Sequence, residues 1–171
     1  MEQQEQRPGF TLVELIIVIV VIGIVSVFSS LVISLATKSI QLAGAADKLV
    51  GDIRYAQNLA SATGKWYGVS FEAAPLNRYL LYIANSTGDA VIADPGKPGS
   101  DFIVDLGKDF NVAISSVEIS GAKKVLFHPL GIPYNIKYGD MISVEGIVTL
   151  TRDSSSRTIR ITKQTGRIYI Q

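Results

Sequence analysis

Arg7-Pro8-Gly9-Phe10-Thr11-Leu12-Val13-Glu14-Leu15 runs directly into Ile16-Ile17-Val18-Ile19-Val20-Val21-Ile22-Gly23-Ile24-Val25. From Leu15 to Thr37, 23 residues pass without a charge. As a helix rising about 1.5 Å per residue they reach about 35 Å, enough for the roughly 30 Å of a bilayer's hydrocarbon core. A buried strand fails on length, since strands usually stop by about ten residues. Ile and Val are middling helix formers in water, but in lipid the backbone has no partner except itself, so the run must be helical there. The stretch predicts a membrane helix.

Each residue at its start also has a plainer explanation. Pro8-Gly9 taken alone is a breaker ahead of a helix, although a Gly also lets the backbone lie extended in a protease cleft with no side chain to clash. Glu14 taken alone marks a helix start, where a carboxylate suits the dipole. Near a bilayer centre, however, an acidic residue costs of order 2.5–3.5 kcal/mol, and such residues usually have a task. A secretory signal peptide cut after Ala43-Gly44-Ala45 is the competing interpretation. It requires an apolar core of only about 7–15 residues and a basic leader, whereas the leader here sets Arg7 against Glu2 and Glu5. Lys38 and Lys48 flank the far side, so the positive-inside rule does not fix the orientation.

The nine residues Arg7 to Leu15, followed by the apolar helix, resemble the prepilin (class III) signal of type IV pilins and type II secretion pseudopilins. The resemblance implies a leader over residues 1–9, cut by a prepilin peptidase between Gly9 and Phe10, with Phe10 then N-methylated as the new N-terminus. It also implies that Glu14 pairs with the cationic N-terminus of a neighbouring subunit, so that a buried charge finds its partner only in the assembled state. The leader is less basic than is usual in that family.

No Pro occurs between Pro8 and Pro75, so no proline breaks the helix over that distance. Leu42, Ala46, Leu49, Ile53, Ala56 and Ala60 recur at helical spacing and form one apolar face, with Gln41, Asp47, Lys48, Asp52, Arg54 and Gln57 largely off it. Gly64 follows as a C-terminal cap. The expected organisation is leader 1–9, transmembrane and filament-core helix 10–37, amphipathic continuation 38–64 and β-rich domain 65–171. Strand signals fall at 65–72, 78–84, 112–119, 124–127, 143–150, 158–162 and 167–170, with no convincing helix after residue 64. Pro95 to Ser100, after Asp94, is a loop by composition. The fold class is α+β, one long N-terminal helix packed on a C-terminal antiparallel β-sheet domain. With no Cys in the chain, core packing alone must hold that domain.

Three short motifs extend the resemblance to the H-type minor pseudopilins, the GspH/FimT-like group. They are Asp52-Ile53-Arg54-Tyr55-Ala56-Gln57 followed by Gly68-Val69, then Phe127-His128-Pro129-Leu130-Gly131, then Gly166-Arg167-Ile168. That group packs a helix on two β-sheets.

Catalytic chemistry finds little footing. His128 is the only His, and Cys is absent, so His clusters, thiolate metal sites and a Ser/His/Asp triad lack their parts. No phosphate-binding Gly-rich loop occurs. Asp89, Asp94, Asp101, Asp105 and Asp109 lack calcium-loop spacing and are expected to be solvated loop carboxylates. We expect no enzyme, cofactor or metal. A basic C-terminal hairpin carries Arg157, Arg160, Lys163 and Arg167, some able to share a face towards phosphates or a protein partner. A solvated outer face is the plainer alternative, since little aromatic interleaving supports DNA.

The resemblance therefore implies a minor pseudopilin of a type II secretion system, or the equivalent minor pilin of a type IV pilus. Such a subunit assembles into an inner-membrane-rooted filament for protein export. It would cross the inner membrane once, with its C-terminal domain outside the cytoplasm. Its partners would be other pilins or pseudopilins, the prepilin peptidase/methyltransferase and membrane lipid. Two alternatives remain: a minor pilin binding DNA through the basic hairpin during uptake, and a membrane-anchored β-domain with an accidental prepilin-like start.

Overall fold

A computed structural model describes residues 9–171, without the side chains of 28–35. The leader residues 1–8 therefore lie outside the described residues. The chain divides into two units, residues 1–38 and 39–171. Helix α1 covers Leu12–Thr63. It opens on Thr11, whose Oγ1 accepts the backbone N–H of Glu14 at 3.2 Å, the N-cap role that Thr fills well. It closes at Gly64, which takes φ +69° while its N–H bonds the Ala60 carbonyl at 3.1 Å. A left-handed residue is what a helix C-terminus most often needs, and Gly adopts it without a Cβ penalty. In the first unit, the described apolar side chains from Phe10 to Val27 are all exposed, Phe10 at 84%. Among the described residues, no helix is long and apolar enough to cross a membrane. The expected span 10–37 includes residues 28–35, whose side chains lie outside the description.

In the second unit the apolar stripe does what its spacing predicts. Leu49, Ile53, Ala56 and Ala60 have no exposed surface, and Leu42, Ala45 and Ala46 are buried beside them. Truncating Leu49 or Ile53 to Ala would remove about 2–5 kcal/mol of stability. This stripe packs against two antiparallel sheets. The first is built from β1 (Tyr67–Glu72), β2 (Arg78–Ala84), β3 (Asp89–Val91), β4 (Ile103–Asp105), β6 (Lys124–Phe127) and β7 (Pro133–Tyr134), in the order β3-β2-β1-β6-β7. Strand β4 pairs with β2 as well. The second sheet has the order β10-β9-β8-β5, from β5 (Ala113–Glu118), β8 (Gly146–Arg152), β9 (Ser155–Ile161) and β10 (Ile168–Ile170). Alternate residues point inward, as the pleat requires: Val69, Phe71, Tyr79, Leu81, Val125 and Phe127 from one sheet, and Ile114, Val148, Leu150, Ile159, Ile161 and Ile168 from the other. Two sheets rather than one is the arrangement the family resemblance implies.

The expectation of no helix after residue 64 is corrected by α2 (Leu106–Phe110). Asp105 caps it by accepting the Lys108 N–H at 2.8 Å, and Asn111 ends it at φ 54°. Five residues are too few to show a helical period, so only the caps could have signalled it. The short strands β3, β4 and β7 lie outside the expected strands for the same reason.

Opposite the core, the first sheet carries a second apolar layer of Trp66, Tyr82, Ala84 and Leu126. Gly68 and Tyr82 are register partners there. A Cβ on Gly68 would sit 2.6 Å from the Tyr82 ring and 2.5 Å from the Val125 carbonyl oxygen. Only glycine lets that ring lie flat across the strand pair.

Candidate functional site

The start of α1 holds three of the residues singled out by the sequence. Gly9 and Phe10 precede the helix, and both are exposed. A Cβ on Gly9 would meet nothing within 4 Å, and Gly9 is not among the positive-φ glycines. The folded chain itself makes no demand for glycine at that position. Glu14 lies in the first turn of α1, exposed. Its backbone is capped by Thr11, so the cap does not depend on the Glu14 carboxylate.

The other singled-out residues belong to the second unit. The polar residues of the Asp52–Gln57 segment, largely off the apolar stripe, are tied into the fold. Asp52 is 7% exposed, and its carboxylate accepts from Tyr79 Oη at 2.6 Å and from Lys48 Nζ at 2.6 and 2.7 Å. A charge can be buried here because both its oxygens are hydrogen-bonded and an ammonium neutralises it. Burial first, then the Asp52 charge, pushes the Tyr79 phenol well above its ordinary range. Arg54 Nη2 donates to the Ile168 carbonyl at 2.7 Å. Gln57 Nε2 donates to the carbonyls of Gly131 at 2.8 Å and Gly166 at 3.2 Å. The three motifs that were weak one by one in the sequence thus meet at one side chain, Gln57. His128, one residue into the turn after β6, accepts the Leu130 N–H on Nδ1 at 3.1 Å and stands edge-on to Trp66.

The basic hairpin is only partly gathered. Arg157 has the parity of the buried Ile159 and Ile161, and it lies beside Ala43, Ala46, Asp47 and Ile170. Arg160 points to the opposite face and donates to Glu145 Oε2 at 2.7 Å. Tyr169, its register partner, donates to the other Glu145 oxygen at 2.7 Å. The Tyr169 hydrogen bond first, then that of Arg160, holds the Glu145 carboxyl below its usual range. Arg167 sits over the Tyr169 ring at 5.9 Å, and Lys163 lies in the turn between β9 and β10. The four cations do not form one row along a face, and one of them is held by a carboxylate.

The model of the prokaryotic N-terminal methylation motif matches residues 6–30. Among solved structures, the fold is similar to that of the type IV minor pilin FimU of Pseudomonas aeruginosa, with 14% identity and a TM-score of 0.53 over 79% of this chain and 91% of that one. It is also similar to the minor pseudopilin EpsH of the Vibrio cholerae Type 2 Secretion System, with 8% identity and a TM-score of 0.57 over 77% of this chain and 96% of that one. The fold is pilin-like. No curated protein matches it closely in sequence, and at these identities the structural likeness is one of fold.

In a pilin-like fold, the contacts that tie the helix to the sheets carry the architecture. The carbonyl-to-amide links from Gln57, and the buried Asp52–Tyr79 pair, were not foreseen. The only signal available was a run of polar residues flanking an apolar helical stripe, too close to the buried face to be solvated freely. Asn77 was missed as well. With φ 46° in the turn after β1, it offers its side-chain oxygen to Ile114 N at 3.1 Å and its carbonyl to Leu106 N at 3.0 Å. It thereby joins the first sheet to α2 and to the edge of the second. Asn is among the few residues that tolerate this conformation, and that was the available clue.

Proposed function

We propose that this chain is a minor pseudopilin of a type II secretion system, or the corresponding minor pilin of a type IV pilus, rooted in the inner membrane and incorporated into a filament. The observation that carries the reading is the start of α1. A methylation motif over residues 6–30 opens a helix whose described apolar side chains, Phe10 to Val27, are exposed without interruption. An apolar surface of this extent on a single chain needs lipid or neighbouring chains to cover it. Gly9 is compatible with this reading: nothing surrounds its would-be Cβ, and a glycine there can lie extended in a protease cleft. In this reading the peptidase cuts between Gly9 and Phe10, Phe10 is N-methylated, and Glu14 meets the amino group of a neighbouring subunit. The role is structural, and no reaction is assigned to the chain.

Deleting the gene in the native host tests this reading. Loss of protein export, or of surface filaments, with restoration by the wild-type chain is the expected result. Recovery of the chain as a soluble protein beginning at Met1, with export and filaments intact in the deletion strain, would overturn it.

A further inference from the structure

Residues 135–141 leave the edge strand β7 and return to it. Met141 bridges Tyr134, and the Ile142 N–H bonds the Pro133 carbonyl at 3.2 Å. Between those ends the segment reaches far along the first sheet. Lys137 Nζ donates to the carbonyl of Ala84, the last residue of β2, at 2.7 Å. Strands β1 and β6 lie between β2 and β7, so the segment has passed the width of two strands. The Tyr138 ring stands edge-on to Trp66 with centroids 5.6 Å apart, and Lys137 Nζ lies 5.2 Å over the Tyr138 ring. Trp66 belongs to the apolar layer opposite the core, with Tyr82, Ala84 and Leu126, and meets His128 at 4.8 Å and Tyr134 at 5.1 Å, both edge-on. Residues 135–141 therefore form a strap, fastened to β7 at both ends and to Ala84 and Trp66 in the middle.

The strap gains little by lying closed. Ile136, Tyr138 and Met141 are 57%, 82% and 49% exposed, so it buries few of its own apolar side chains. Tyr138 sits at φ 59°, a left-handed conformation that strains a bulky side chain. Asn135 Oδ1 in the strap and Tyr82 Oη in the layer are buried with no hydrogen-bond partner, and a buried polar atom left unpaired costs free energy until water reaches it. Lifting the strap relaxes Tyr138 and hydrates Asn135, which offsets the loss of the Lys137 bond and of the ring contact with Trp66. A segment with few buried apolar contacts opens at a fraction of the global unfolding free energy. We propose that residues 135–141 lift from Trp66 as a unit while both sheets stay folded, giving the domain a closed surface and an open, aromatic one. The inference goes beyond the filament reading and does not rest on it.

Trp66 is the only Trp in the chain, so its fluorescence in the full-length, detergent-solubilised protein reports on the strap directly. Lys137→Met removes the tie to Ala84 and keeps the side-chain length, whereas Tyr138→Ser takes the ring away from Trp66. Each should raise the acrylamide quenching constant of Trp66 roughly threefold or more. Hydrogen exchange supplies the second readout, through the bonded amides of Gly139 and Ile142. Corrected for intrinsic rates, these two should exchange at one common rate, roughly a hundredfold or more above that of β1. Lys137→Met should speed both further and leave β1 as it was. Strap amides no faster than those of β1 would show that the segment opens only with the whole domain, and the proposal would fail. Unlike rates for Gly139 and Ile142 would overturn it too, as fraying residue by residue. Quenching that either variant leaves unchanged would sink it, because Trp66 would then be shielded by something other than the strap. Faster exchange in β1 alongside the strap in Lys137→Met would equally rule it out, as a general loosening of the domain.

Discussion

The carboxylate of Asp52 on α1 and the phenol of Tyr79 on β2 are joined by a buried 2.6 Å hydrogen bond. Tyr79 has no exposed surface at all, and Lys48 completes the shell around the acid. The bond is therefore both a tie between helix and sheet and a site where protonation matters.

Folded Tyr79 is held above the usual tyrosine range, first by burial and then by Asp52, and burial lifts Tyr82 in the same direction. A group whose folded pKa is raised contributes stability that is complete below its unfolded value, about 10, and is lost as pH rises beyond it. The melting temperature of the detergent-solubilised chain should fall as pH is raised above about 10. Tyr79→Phe should make that fall shallower. The same substitution should cost about 1–3 kcal/mol at neutral pH, since Asp52 loses one of its partners. An unchanged alkaline slope in Tyr79→Phe would show that the fall arises elsewhere.

Two glycines should respond in opposite directions to the same change. At Gly166 (φ +62°), a Cβ would come within 2.6 Å of Gln57 Nε2 and 2.7 Å of the Gly131 oxygen. Gly166→Ala should cost about 1–3 kcal/mol through overpacking, plus the strain of a left-handed backbone. Gly51 lies within α1 with nothing inside 4 Å of its would-be Cβ. Gly51→Ala should stabilise by about 0.5–1 kcal/mol, the helix penalty of glycine. Paired thermal melts of the two variants check both signs.

These particulars locate where the sequence was legible. The helix and its buried face could be read because 3.6-residue periodicity persists over many turns, and Gly64 marked its end correctly. The longer strands could be read from alternation. Short elements such as α2 and β7 offer no period, and their existence depends on capping and pairing by distant residues. The start of α1 was the most readable functional feature, since its signal is contiguous. Gln57 was not readable as a clamp, because its acceptors lie 74 and 109 positions away in the chain.

Processing should leave a mature chain of 162 residues starting at Phe10, with 15 basic against 13 acidic side chains once Glu2, Glu5 and Arg7 are lost. Intact-mass measurement on protein from native membranes should find this species carrying one added methyl group. Gly9→Leu should abolish it and leave the longer precursor. A chain starting at Ala46 would instead establish ordinary signal-peptide cleavage.

Glu14→Ala should leave the helix start intact, because Thr11 supplies the cap. The loss of a carboxylate from the first turn costs only about 0.3–1 kcal/mol. Membrane insertion should be equal or better, since an expensive charge is gone. Filament incorporation, measured by co-sedimentation with sheared filaments, should drop severalfold. Normal incorporation would return Glu14 to the role of a helix-start residue.

The Gln57 and Arg54 links also set the order in which the fold can be completed. Arg54 waits for an acceptor 114 positions downstream, and contacts so distant in sequence are slow to form because the chain between them must first be closed. During synthesis, α1 emerges long before the strand that secures it. Until residue 168 is available, the apolar stripe from Leu42 to Ala60 has only a partial cover. Joining Arg54 and Gln57 to the carbonyls of Ile168 and Gly166 therefore has to follow synthesis of nearly the whole chain.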